Sequence, residues 1–148
     1  MEINGLPLHP LVVHAAVIFG PLAAAAALVY VFVPRWRDRL RWPMLVLVLV
    51  ATASIWTAYL TGVSFRDSKP FYTEGAIGEK VHQHQQLAVK LRIMTSVFAV
   101  VAIVAAWLHT RTGPTRIVLG VLLGAAAVGT LVLVVLTGDA GARAVWGQ

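Results

Sequence analysis

The sequence contains no cysteine, which removes disulfides, thiolate metal sites, iron–sulfur clusters, c-type haem attachment and cysteine nucleophiles together. Charge is also scarce: 12% of the 148 residues are Asp, Glu, Lys or Arg, where a soluble domain carries about 25%. A water-soluble globule is therefore excluded as the starting expectation. The chain has no Gly-rich phosphate loop, no nucleophile elbow and no His-Glu-x-x-His, so phosphate-loop, serine-hydrolase and zincin chemistry have no foothold. Acids are the scarcest charged type, six against 12 Lys and Arg. In another setting that imbalance would suggest nucleic acid; here the bases sit in short segments between apolar runs, which reads as membrane topology, with no nucleic-acid partner.

Apolar residues make up 59% of the chain, and the mean hydropathy is +0.80. A bilayer core about 30 Å thick needs about 20 apolar residues per helix. Four runs meet that length, at about residues 11–33, 44–63, 87–108 and 117–137. The fold class this predicts is all-α: one integral membrane domain, 1–148, forming an up-down four-helix transmembrane bundle. Pro21 permits a kink in the first span, and Lys90 and Arg92 in the third are expected to snorkel outward.

Orientation follows from the loops. Residues 34–42 hold Arg35, Arg37, Arg39 and Arg41 against Asp38, and residues 109–116 hold Arg111 and Arg116. By the positive-inside rule these two turns are cytoplasmic, which places both termini and the long 64–86 loop on the outer side of a bacterial inner membrane. Trp36, Trp42, Trp107 and Trp146 fall near span ends, as an interfacial aromatic belt requires. Small residues, Ala23 to Ala27 in span one and the GxxxG-spaced Gly120 and Gly124 in span four, offer close-packing faces. The glycine face is expected either inside the bundle or against a second subunit in a homo-oligomer or a membrane protein partner.

Each half of the chain reads as histidine, helix, basic turn, helix, Leu-Thr-Gly. His9 lies 53 residues before Gly62, and His84 lies 54 before Gly138. Duplicated hairpins of the same orientation would be related by a pseudo-twofold along the membrane normal.

Four of the five histidines, His9, His14, His82 and His84, are predicted at the outer ends of spans one and three. Asp67 and Asp139 follow spans two and four, so every helix delivers a titratable group to the same end. Helical spacing separates His9 from His14 by about 140° around the axis, and His82 from His84 by about 200°. Pro10 suggests that His9 precedes the helix and that His14 is the first inward polar residue. His84 shares a face with Leu87, Leu91 and Met94 and is taken as the inward one of its pair.

Two imidazoles on different helices are what bis-histidine haem b ligation needs. On that reading His14 and His84 hold the iron, and Lys90, Arg92 or Arg66 pair with the propionates. The protein then takes part in membrane electron transfer without turning over a substrate itself. A divalent metal, Zn or Cu, held by His9 or His14, His82 or His84, and Asp139 is the second chemistry. Proton relay to a bound quinone or partner through histidine beside Asp67 or Asp139 is the third. Against these stands a plain reading without a cofactor, in which the histidines bond water, headgroups and helix ends. The chain would then be an accessory or assembly subunit of a larger membrane complex. His109 is expected to be interfacial.

The opening Leu6-Pro7-Leu8-His9-Pro10-Leu11-Val12-Val13-His14 resembles a bacterial membrane-protein family catalogued as domain of unknown function 2231. That resemblance implies four spans, a His-Pro-x-x-x-His opening, a histidine at the start of span three (here Val81-His82-Gln83-His84-Gln85-Gln86-Leu87) and a closing Gly-rich segment with an aromatic residue (here residues 138–147, with Trp146). The family often has Phe-Pro where this chain has Ala15-Ala16, and often histidine where it has Asp139. If that histidine is a ligand in relatives, a carboxylate in its place would favour a hard or borderline metal over haem, or no cofactor.

Overall fold

The computed structural model describes residues 2–3, 6–68 and 74–146; Gly147, the last glycine of the Gly-rich segment, lies outside them. Four helices fill the chain: α1 Leu8–Phe32, α2 Pro34–Asp67, α3 Gly75–Trp107 and α4 Pro114–Trp146. A short antiparallel pairing of β1, Glu2–Ile3, with β2, Leu6–Pro7, precedes them. All four helices are long and apolar enough to cross a membrane. Each of α2, α3 and α4 has 33 or 34 residues, about 50 Å of helix, so each projects well beyond the hydrocarbon.

The helices are longer than the apolar runs because polar flanks continue them. The basic 34–42 segment, expected as a turn, is the start of α2. Pro34 sits in its first turn, where a missing N–H costs nothing, and Pro43 is absorbed within the helix. Val33 alone separates α1 from α2, its N–H bonding the Val29 carbonyl at 2.9 Å. The 64–86 loop shrinks similarly, since α2 runs to Asp67 and α3 begins at Gly75. Gly75 and Gly113 adopt left-handed φ of 61° and 65° where the chain enters α3 and α4, a conformation open to glycine at little cost.

In the bundle α1 packs on α2 and α4, and α3 packs on the same two, so the order around the axis is α1, α2, α3, α4. The internal repeat is clear in burial. A shift of 75 positions carries every buried residue of α1 onto a buried residue of α3: Ala16 to Leu91, Gly20 to Thr95, Ala23 to Phe98, Ala24 to Ala99, Ala27 to Ala102 and Tyr30 to Ala105. The same shift takes His9 to His84 and the end of α1, Phe32, to the end of α3, Trp107. For α2 and α4 the shift is 79, pairing Met44 with Leu123, Val48 with Ala127, Ala51 with Thr130 and Ile55 with Val134, all buried. The four extra residues lie in the wider turn between α3 and α4.

Two hairpins of like orientation thus pack about a pseudo-twofold axis. The expected match of Leu60-Thr61-Gly62 to Leu136-Thr137-Gly138 is about one helical turn out of register, because the packed face of α4 aligns Gly62 with Gly141 instead.

Close approach is made at particular glycines. A Cβ on Gly20 would lie 3.0 Å from Val134 and one on Gly129 3.1 Å from Met94. Gly120 and Gly124 are not used this way: Gly120 faces only Val31 and Gly124 nothing within 4 Å. Across α2 and α3, the Thr52 and Thr95 hydroxyls lie 3.2 Å apart, an interhelical tie worth about 0.6 kcal/mol in lipid.

Candidate functional site

At the end of the bundle where α1 and α3 begin and α2 and α4 finish, a cavity of about 370 Å³ opens among all four helices. Ligand pockets run from about 300 to 1,000 Å³. His9 and His84 line it from the diagonally opposed helices α1 and α3. The Nδ1–H of His9 donates to the Ala58 carbonyl at 2.9 Å, and that of His84 donates to the Thr137 carbonyl at 2.9 Å. Ala58 and Thr137 are themselves repeat partners, 79 apart, so the two bonds are one interaction made twice.

Glycine makes room for both rings. A Cβ on Gly62 would sit 2.9 Å from His9 Cε1, and one on Gly141 3.0 Å from His84 Cε1. At either place the ring, held by its hydrogen bond, would have to shift to admit a side chain. The His9 ring also stacks on Phe65, with centroids 6.4 Å apart. Because Nδ1 carries the proton in each donation, Nε2 of each neutral imidazole keeps its lone pair. No hydrogen bond among the described residues reaches either Nε2.

His9, not His14, is the counterpart of His84. His14 reaches the cavity's edge but is exposed, and its Nδ1–H returns to the Pro10 carbonyl of its own helix at 2.6 Å. Proline is tolerated in a first helical turn, so α1 starts at Leu8 and carries His9 inward; Pro10 does not exclude it. His82 is exposed, as spacing from His84 requires. Asp139 is exposed and paired with Arg143 at 2.9 Å, one helical turn on. Among the described residues no three His, Asp or Glu side chains are placed to share a metal ion.

The cationic residues divide. Arg66 lines the cavity and is fixed by Asp67 at 2.6 Å and by the side-chain oxygen of Gln85. Lys90 and Arg92 are not among the lining residues. Lys90 is exposed, while Arg92 does not simply snorkel: its guanidinium lies over the rings of Tyr59 at 4.2 Å and Trp56 at 4.7 Å. Aromatic faces on α2 offset part of its desolvation.

The lining departs from twofold symmetry in one direction. Tyr59, Phe65 and Arg66 on α2 correspond to Gly138, Ala144 and Val145 on α4, and all six line the cavity. Bulk and charge stand on the α2 side, open space on the α4 side.

The opposite end holds a polar cluster that sequence reasoning missed. His109 is 8% exposed, enclosed by the protein at this end of the bundle. Its Nδ1 accepts from the Tyr30 hydroxyl at 2.9 Å, and its Nε2–H donates to Asp38 at 2.8 Å. Arg37 donates to the His109 carbonyl at 2.8 Å and Arg41 to the Ala106 carbonyl at 2.9 Å. These cations satisfy carbonyls freed where α3 ends. The arginine run thus has a structural task in tying the end of α3.

Residues 5–148 match the model of a family described as "Predicted membrane protein (DUF2231)". No curated protein and no solved structure matches the chain.

Proposed function

The chain belongs to the DUF2231 family of membrane proteins, and from that starting point we propose that it binds one haem b between His9 and His84 and serves membrane electron transfer. The observation that carries this is the pair of repeat-related imidazoles lining one cavity, each with Nδ1 anchored on a backbone carbonyl and Nε2 without a hydrogen bond among the described residues. Anchoring of this kind fixes the tautomer and raises ligand basicity. Two ligands suffice for haem, because the porphyrin supplies the other four nitrogens. Zinc or copper would want a third or fourth protein ligand, and no such group is assembled among the described residues. His9 replaces His14 as the partner of His84 in this reading, and Arg66 replaces Lys90 and Arg92 as the cation for a propionate.

The charge distribution supports an orientation with the histidine end outside the cytoplasm of a bacterial inner membrane. When bound, haem would supply one-electron chemistry. His9 and His84 would hold the iron, Arg66 would meet a propionate, and the apolar side chains of the lining would keep water from the site. The test is the absorption spectrum of the isolated membrane protein, supplied with haem during expression. A Soret band that shifts on dithionite reduction is expected in the parent and in His14→Ala. A colourless parent, or a His9→Ala protein with the parent spectrum, contradicts the proposal.

A further inference from the structure

The arginine end carries a second cavity, of about 870 Å³, between α1 and α4. Its wall includes Val31 of α1, Gly120, Gly124 and Val128 of α4, and, at the polar rim, Arg37 and Arg116. The repeat shows how it arises. Gly120 and Gly124 correspond to Arg41 and Leu45 of α2, and the matching space between α2 and α3 is filled. There Leu45 packs against the core and Arg41 donates to the Ala106 carbonyl at 2.9 Å. In the second hairpin those two side chains are absent and a furrow lies at that place.

The rim narrows the choice of occupant. Arg116, the repeat counterpart of Arg37, is exposed and makes no hydrogen bond or ion pair among the described residues. Arg37 spends one N–H on the His109 carbonyl and lies over the Tyr30 ring at 5.0 Å, which leaves donors of its fork unused. Arg116, Gly120 and Gly124 form one stripe at four-residue spacing. A second copy docked through that stripe about a twofold along the bundle would set Arg116 against its own mate, a like-charge contact. An acyl chain has no such penalty, and a phosphate between the two guanidiniums is favoured.

We propose that this furrow binds one anionic phospholipid, with an acyl chain laid along Gly120 and Gly124 and the phosphate held by Arg116 and Arg37. Native mass spectrometry of the full chain in neutral detergent, with phosphatidylglycerol or phosphatidylcholine added, tests it. Two arginines near the headgroup correspond to about a thirtyfold preference for phosphatidylglycerol, retained at one per chain. Arg116→Gln should lower the preference to about fivefold. Gly120→Leu/Gly124→Leu, which fills the furrow without changing charge, should lose the bound lipid while leaving the helical circular dichroism intact. Equal retention of the two lipids by the parent overturns the proposal. So does undiminished retention by the filled variant, an Arg116→Gln protein with unchanged preference, or a parent dimer that the filled variant converts to monomer.

Discussion

The two helical hairpins bury largely the same positions but have different surfaces along their second helices. α2 carries Arg41, Leu45, Tyr59, Phe65 and Arg66; at the matching places α4 carries Gly120, Gly124, Gly138, Ala144 and Val145. Both cavities lie against the stripped helix. Duplication thus supplies the frame and the paired histidines, and loss of bulk from one copy supplies the space. A strictly symmetric pair of α2-like helices would hold two anchored imidazoles with less room between them. Paired α4-like helices would leave Arg66 without a place and the end carbonyls of α3 without Arg41.

The comparison can be broken most sharply at its glycines. Gly62→Ala and Gly141→Ala each drive a Cβ to about 3 Å from an anchored imidazole, and both should weaken haem binding by about 10- to 100-fold, the usual cost of disturbing the group that orients a ligand. Haem titration monitored at the Soret band measures it. A large effect at one glycine with none at the other would mean that the hairpins are not equivalent at the site. Gly124→Ala, with nothing within 4 Å of the new methyl, should leave haem affinity alone and stabilise α4 by about 0.5–1 kcal/mol.

A second contrast sets Tyr30 against its repeat partner Ala105, which offers no hydroxyl. Tyr30→Phe removes the donor shared by His109 Nδ1 and the Ala105 carbonyl and should cost about 1–3 kcal/mol, read as lowered thermal stability in detergent. The haem spectrum should not move, since the cluster lies at the other end. The smallest effect is expected from Thr52→Val, which cuts the hydroxyl contact to Thr95 and should cost about 0.6 kcal/mol. A loss of several kcal/mol there would mean that the polar tie between the hairpins, rather than apolar packing, holds them together.

Much of this frame was legible in the sequence. Bilayer thickness fixes the length of an apolar run, so four spans and their pairing could be read directly, as could the His9 to His84 repeat. Helix ends were not legible, because the Arg35 to Arg41 segment and residues 75–86 are polar yet helical, and hydropathy responds to lipid rather than to backbone hydrogen bonding. Pro10 was read as a boundary that leaves His9 outside the helix, but it sits harmlessly in a first turn, so His9 lies within α1 and lines the cavity. The bonds that matter most end on backbone carbonyls, those of Ala58, Thr137, Ala106 and His109. A carbonyl has no signature in sequence, so neither the anchoring of the histidines nor the role of Arg37 and Arg41 could be foreseen. One signal was present and overlooked: the 79-residue recurrence of Arg37 at Arg116 and of Gly62 at Gly141.

The central claim is that His9 and His84 are equivalent ligands to one iron. It is tested most directly by imidazole rescue of His9→Gly and His84→Gly proteins, followed by electron paramagnetic resonance of the oxidised haem. Each variant should be high-spin alone and return to a low-spin signal with added imidazole, at one haem per chain, while His14→Gly remains low-spin without it. A His14→Gly protein that needs imidazole while His9→Gly does not would contradict the account.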